Sequence, residues 1–157
     1  MKYFQEINSF NIKNKKVQRL LILSKFIKNK KLYLKILEEE TELIKTLFKI
    51  ILKYFYMKKS IQISNNPKDN IKKIEDIISK KFRLRKEFET ISKFISLEKI
   101  HKNSAMEIMK KGRIIMIDEK GKSKNLKIAD LIDFSKRINK IKNEVNKTII
   151  RDKYKKV

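Results

Sequence analysis

Residues 131–145 read LIDFSKRINKIKNEV, and this stretch decides the fold class. Its apolar residues recur at three- and four-residue steps, the spacing that places side chains on one face of an α-helix. These residues are Leu131, Phe134, Ile138, Ile141 and Val145. The apolar stripe is narrow, so we expect it to pair with another helix. The sequence therefore predicts a mainly α protein, an elongated helical bundle with long helices.

Two further helices are predicted upstream. Apolar residues recur at helical spacing over residues 14–28 and again over residues 32–56, and the run at 28–31 interrupts the pattern. Residues 43–57 are largely apolar, yet this run is shorter than the ~20 residues that cross a bilayer. Lysines also interrupt it, so we expect no transmembrane segment and we disfavour contact with a membrane surface.

A third helix is predicted after a linker at residues 58–66. Asn66 is a good N-terminal cap and Pro67 suits the first helical position, so a helix should begin there. Helical spacing then continues over residues 67–99, with Lys81 in the one apolar position that is missed. A continuous helix of this length would be about 50 Å long. Because a compact globule of this chain length is roughly 39 Å across, the helix should bend, break or protrude.

The part of the chain that follows mixes helix and strand signals. Ser104 and Glu107 have the spacing of a capping box and Gly112 can end a helix, which predicts a short helix over residues 105–111. A β-branched run and a glycine turn then predict one small β-hairpin near residues 113–128. Residues 147–157 resemble a basic tail.

These elements fall into two regions. Residues 1–60 form an N-terminal basic helical region, and residues 67–157 hold the long helix, the short helix, the hairpin and the C-terminal helix with its basic tail. The chain of 157 residues is also short enough to be one continuous domain, and the sequence is compatible with both arrangements.

The charge of the chain is strongly unbalanced. It carries 42 Lys and Arg against 18 Asp and Glu, a formal net charge of +24 that is spread along the sequence. Such a surface repels itself unless something anionic covers it, and nucleic acid is the polyanion we expect. Only six of the basic residues are Arg, the side chain suited to reading guanine edges, so the surface should mostly neutralise phosphates.

Fifteen basic residues in four groups are the predicted nucleic-acid contacts. The alternative for each group is an ordinary solvated surface. They are Lys13, Lys15, Lys16 and Arg19 in the first helix, Lys30 and Lys31 at the following break, Lys80, Lys81, Arg83, Arg85 and Lys86 in the long helix, and Lys120, Lys122, Lys124 and Lys127 at the hairpin tip.

Catalytic and metal sites are not predicted. The chain has no Cys and only one His, His101, which excludes thiolate and common zinc ligand sets, and two Gly cannot build a phosphate-binding loop. We therefore predict no enzyme activity and no cofactor. One enzyme alternative is a metal-dependent nuclease using Asp118, with Glu98 or Glu107 as a second acid, but both partners fall in predicted helices.

The leading functional hypothesis is a non-catalytic, RNA-binding structural component of a ribonucleoprotein, with a ribosome-like particle as the setting and other proteins as neighbours. RNA is preferred over DNA because diffuse Lys coverage suits irregular folded RNA and no DNA-reading motif is present. The main alternative is a DNA-binding accessory protein of a plasmid or phage that dimerises through its helical seams. We expect an intracellular location, in the cytoplasm or an organelle matrix.

Overall fold

The computed structural model describes residues 3–155, and the fold is mainly α with a small antiparallel sheet. The helical elements are α1 (Phe4–Leu23), α2 (Lys30–Met57), α3 (Pro67–Asp76), a π-helical turn (Ile77–Lys81), α4 (Arg85–Asn103) and α5 (Ile128–Tyr154). The strands β1 (Met106–Lys110), β2 (Arg113–Ile117) and β3 (Ser123–Lys127) lie between α4 and α5. The predicted fold class is confirmed.

Helices α1 and α2 form an antiparallel hairpin. Glu6 at the start of α1 pairs with Lys53 near the end of α2, and Lys16 pairs with Glu39 at 3.1 Å near the opposite ends. Asn29 caps the N-terminus of α2, because its side-chain oxygen accepts a hydrogen bond from the backbone N–H of Leu32 at 2.8 Å. The break predicted at residues 28–31 is therefore confirmed by a capped helix start.

Helices α4 and α5 also run antiparallel. The rings of Phe94 and Phe134 stack with their centroids 3.8 Å apart, and the Glu87 carboxylate lies 2.8 Å from Nζ of Lys140. All five apolar residues of the α5 stripe are buried against the rest of the chain. The predicted helix pairing is thus made inside the molecule, where α4 and α2 contact α5.

Helix α2 joins the two pairs. It runs antiparallel to α4, since Phe48 lies beside Phe88 near one end and Glu38 contacts His101 near the other. The chain thus forms an up-down-up-down bundle of α1, α2, α4 and α5, with α3 and the sheet inserted between helices. One hydrophobic cluster draws on all four. The division into the regions 1–60 and 67–157 stays a prediction.

The helix predicted over residues 67–99 is broken, and a break was one of the outcomes expected from its length. Asn66 caps the N-terminus of α3, since its side chain accepts from the N–H of Lys68 at 3.0 Å, and the π-helical turn follows the last residue of α3. Arg83 then adopts a φ of 57°, which no α-helix permits, and α4 starts two residues later. Among residues 3–155, no helix has the length and apolar character needed to cross a membrane.

The prediction of a helix over residues 105–111 is wrong. Met106–Lys110 is strand β1, which pairs antiparallel with β2 through a two-residue turn, so the hairpin is part of a three-stranded sheet. Both turn residues have positive φ, 52° for Lys111 and 74° for Gly112, the conformation of a type I′ turn. Gly112 therefore serves a hairpin and does not end a helix.

The limits of the first and last helices also differ from prediction. Helix α1 begins at Phe4 because Phe10, only 1% exposed, extends its buried face towards the N-terminus. The predicted basic tail is largely wrong, since α5 continues to Tyr154. The hydroxyl of Tyr54 donates to the Asp152 carboxylate and holds this last part of α5 against α2. Residues 156 and 157 lie outside the described residues.

Candidate nucleic-acid interface

Three basic segments meet around the last turn of α2. On one side, the ring of Phe55 lies 6.1 Å from that of Phe82 in the break between the π-helical turn and α4. On another side, Tyr54 bonds Asp152 near the end of α5. We call residues 58–59, 80–86 and 151–155 the basic end of the bundle. Its three segments are distant in sequence, and Tyr54 and Phe55 of α2 hold two of them at the same end of the bundle.

The hydrogen bond between Tyr54 and Asp152 fixes the end of α5 against α2. Burial raises the pKa of Tyr54, and the adjacent Asp152 raises it further, so the phenol remains a proton donor. The same bond lowers the pKa of Asp152, and Lys58 lowers it too. The carboxylate of Asp152 is therefore already occupied by partners of its own.

The break segment displays its cations because its apolar residues are anchored. Phe82 and Leu84 are buried, whereas Lys81, Arg83 and Arg85 on alternate positions are exposed. The backbone is fixed as well, since the N–H groups of Phe82 and Leu84 donate to carbonyls of the π-helical turn at 3.0 and 2.9 Å. The segment therefore presents its cations at the surface from a fixed backbone.

The five predicted cations of residues 80–86 are only weakly compensated within the chain. Lys80 lies 3.6 Å from Asp76 and Arg85 lies 3.4 Å from Glu89, and in both pairs the side chains are more than half exposed. Exposed pairs of this kind contribute little, about 0–1 kcal/mol. In the part of the chain that is described, Arg83 and Lys86 have no ion pair. These charges remain available to a polyanion.

Sequence reasoning left five members of the basic end out of its predicted contacts. They are Lys58, Lys59, Arg151, Lys153 and Lys155, of which all but Lys58 are exposed. Lys58 contacts Asp152 at 3.5 Å, and Lys59 ends α2 with a φ of 57°. The basic character of both segments was visible in the sequence, but only the contacts of α2 place them at the same end of the bundle as residues 80–86.

The predicted cations of α1 divide into two kinds. Lys13 donates to the Thr46 hydroxyl at 3.0 Å, and Lys16 is paired with Glu39, so both hold α1 to α2. Lys15 and Arg19 are exposed on the outer face of α1. The structure therefore does not bring the four residues together as one contact surface.

Lys30 and Lys31 lie at the opposite end of the bundle from the basic end. Nζ of Lys30 donates to the backbone carbonyl of Glu107 at 3.3 Å, and Lys31 lines a cleft beside α2. Because α2 has 28 residues, its two ends are about 42 Å apart. These two lysines thus belong to a different surface.

The predicted hairpin tip is only partly correct. Lys120 and Lys122 lie in the turn around Gly121, whose φ is 78°. Lys127, however, is at the far end of β3, where it pairs with Arg113, and Arg113 in turn pairs with Lys110. These three cations form a row across the outer face of the sheet, and Lys124 projects from the other face.

The residues suggested for a nuclease have other roles. The backbone N–H of Lys120 and that of Lys122 each donate to the Asp118 carboxylate at 2.9 Å, so Asp118 closes the turn. Glu107 lies on β1 and not in a helix, and its carboxylate contacts His101 at 2.9 Å. Within residues 3–155, no group of three or more His, Cys, Asp or Glu is placed to hold a metal ion.

Comparison of the chain with protein-family models, with curated proteins and with solved structures gives no match.

Proposed function

We propose that the protein is a non-catalytic RNA-binding component of a ribonucleoprotein and that the basic end is its principal RNA contact. The observation that carries this proposal is the break at residues 82–84. There the chain interrupts a helix, anchors Phe82 and Leu84, and presents cations on the intervening and flanking positions. A solvated helix face needs no such interruption, whereas an ordered display of charge suits binding to phosphates.

The charge of the basic end supports a polyanionic partner. Its three segments contain ten basic residues and one acidic residue, Asp152, which is already bonded within the chain. Like charges gathered in one place repel one another and destabilise the folded state. A phosphate backbone would remove this repulsion and release its own counterions, which favours binding.

RNA is preferred over DNA for two reasons. Seven of the ten basic residues are Lys, which neutralises phosphates without reading base edges. Tyr56, 53% exposed beside Lys58 and Lys59, offers a ring on which an unpaired base can stack. A ribosome-like particle remains the leading setting. The DNA alternative relied on dimerisation through helical seams, but the α5 stripe is already buried inside the chain.

The proposal is tested by charge reversal at the basic end. We expect Arg83→Glu with Arg85→Glu to weaken binding to a folded RNA by about tenfold or more at fixed salt, because two phosphate contacts become repulsive. The matched control is Lys93→Glu with Lys99→Glu, which makes the same charge change at exposed positions of α4. This control should weaken RNA binding by less than about twofold.

Binding is measured by fluorescence anisotropy, with circular dichroism to show that both variants keep their helices. Duplex DNA of the same length is the competitor. Equal losses in the two double variants would contradict the assignment of the interface. A preference for duplex DNA over folded RNA would favour the DNA-binding alternative.

A further inference from the structure

Exposed apolar side chains are concentrated at the α1–α2 connection. Fourteen large hydrophobic residues are exposed among those described, and four of them fall within six consecutive positions. They are Ile22, Leu23, Phe26 and Ile27, with Phe26 81% exposed. Single exposed apolar residues are ordinary on protein surfaces, but a contiguous group marks an interaction site.

An open cleft of about 620 Å³ lies beside this group. Its apolar wall is formed by Leu23 and Ile27 from the connection and by Leu32 and Leu34 from the start of α2. The cleft continues along α2 for two helical turns, about 10 Å, where it is lined by Lys31, Lys35 and Glu38. These dimensions match the contact made by one face of an amphipathic helix.

The rim of the cleft is basic. Lys25, Lys28, Lys30 and Lys31 are exposed around the connection. The acidic groups near them are engaged within the chain: Glu39 is paired with Lys16 and Lys35, and Glu38 contacts Nε2 of His101 at 3.1 Å. An occupant with apolar residues on one face and acidic residues beside them would complement both the wall and the rim.

We infer that this cleft binds an acidic amphipathic helix of a partner protein. The site lies at the other end of the bundle from the basic end, so the inference is independent of RNA binding. It assigns Lys31 to a protein contact, and it gives the exposed Ile27 an apolar partner. In an assembly, one end of the molecule would then contact RNA while the other contacts a protein.

The shape and chemistry of the cleft favour a protein over a lipid surface or RNA. The wall is concave, whereas a bilayer presents a flat surface. The only aromatic side chain in the connection is Phe26, and the wall itself is aliphatic, which gives unpaired bases little to stack on.

The test uses the full chain and a defined probe, a synthetic peptide of about five helical turns with Leu at helical spacing and Glu elsewhere. A second peptide replaces each Leu with Gln and keeps the charge. Two pairs of matched variants locate the site. Ile27→Ser is compared with Ile12→Ser, since Ile12 is 71% exposed on α1, and Lys31→Glu is compared with Lys72→Glu on α3.

We expect the Leu peptide to slow amide hydrogen exchange over residues 22–38. Ile27→Ser and Lys31→Glu should each weaken binding at least about tenfold, and the two matched variants and the Gln peptide define the background. The inference is overturned if Ile12→Ser or Lys72→Glu has an equal effect, if the Gln peptide binds as tightly, or if the Leu peptide does not bind. It is also overturned if phosphatidylcholine–phosphatidylglycerol vesicles protect these residues and the Leu peptide does not.

Discussion

Nζ of Lys81 lies 4.5 Å from the centroid of the Phe55 ring. Lys81 is the residue that takes an apolar position in the spacing of residues 67–99, and this contact explains how a cation is accommodated there. The π-helical turn changes the register of the helix, so Lys81 stays exposed while its amine rests against the last turn of α2. The break is thereby joined to α2, which positions the basic end.

Substitutions of Arg83 are expected to affect protein stability and RNA affinity differently. Its φ of 57° costs an L-residue about 1 kcal/mol, and glycine adopts this conformation freely. We expect Arg83→Gly to leave the free energy of unfolding unchanged or to raise it by up to about 1 kcal/mol, while RNA affinity falls. Arg83→Ala removes the same charge without relieving the backbone, so it should be the less stable variant. Urea unfolding and RNA titration check this. Arg83→Gly with wild-type affinity would show that Arg83 does not contact RNA.

RNA binding should depend steeply on salt. If about eight of the cations touch phosphate, the slope of log affinity against log salt concentration should be near −6 for single strands and −7 for duplex. The charge-reversed Arg83 and Arg85 variant should have a shallower slope, because fewer counterions are released. Titrations at several salt concentrations measure it, and a flat dependence would be incompatible with phosphate contacts.

Glu40 makes stability depend on pH. Its side chain is fully buried on α2, and within the described residues neither carboxylate oxygen has a hydrogen-bond partner. Burial raises the pKa of Glu40 from 4.5 to about 9. The folded state therefore holds a proton that the unfolded chain has released. The contribution of protonated Glu40 to the free energy of unfolding is fully present below pH 4.5, and it is lost as pH rises towards about 9.

Replacing Glu40 removes this dependence. Keeping it protonated at pH 7 costs on the order of 3 kcal/mol, so Glu40→Leu should raise the free energy of unfolding by a few kcal/mol at neutral pH. It should also flatten the decline of stability between mildly acidic and mildly alkaline pH. The control is Glu42→Leu, at an exposed position two residues further along α2. The account of Glu40 fails if Glu40→Leu is less stable than wild type with an unchanged pH profile.

His101 links α4, α2 and β1. Nδ1 lies 2.9 Å from Glu107 and Nε2 lies 3.1 Å from Glu38, and both nitrogens can donate only when the ring is protonated. Burial alone lowers the pKa of His101, but the two carboxylates raise it by more, so the net shift is upward. This contribution to stability is fully present below the ordinary pKa and is lost as pH rises through the raised value.

We expect His101→Gln to lower the free energy of unfolding at mildly acidic pH and to have a smaller effect at alkaline pH, because only the charged ring bridges both glutamates. Thermal unfolding across this range measures the difference. Nuclear magnetic resonance titration of the single His gives its pKa directly. A value at or below that of an exposed histidine would contradict the bridge.

The helices could be predicted because their signals are local. The three- and four-residue spacing of the α5 stripe and the cap at Asn66 each depend on neighbouring residues, and the structure places both as expected. The strand β1 was missed for a related reason. Ser104 and Glu107 imitate a capping box, whereas the decisive signal was the two-residue turn at Lys111 and Gly112 between two apolar runs.

The interface could be predicted only in part because it depends on distant contacts. Residues 80–86 stood out as a charged run, but nothing local shows that they lie at the same end of the bundle as Lys58 and the end of α5. Those neighbours are set by the contacts of Tyr54 with Asp152 and of Phe55 with Phe82, which join positions far apart in sequence. The bridge at His101 escaped prediction for the same reason.

Crosslinking of the intact protein to RNA, followed by identification of the modified peptides, shows which residues of the protein contact RNA. If the basic end is the RNA contact, RNase-sensitive crosslinks will be concentrated in residues 58–59, 80–86 and 151–155 and will be lost in the Arg83→Glu and Arg85→Glu variant. Crosslinks confined to α1 or the sheet, or none with any RNA while duplex DNA crosslinks readily, would contradict this assignment.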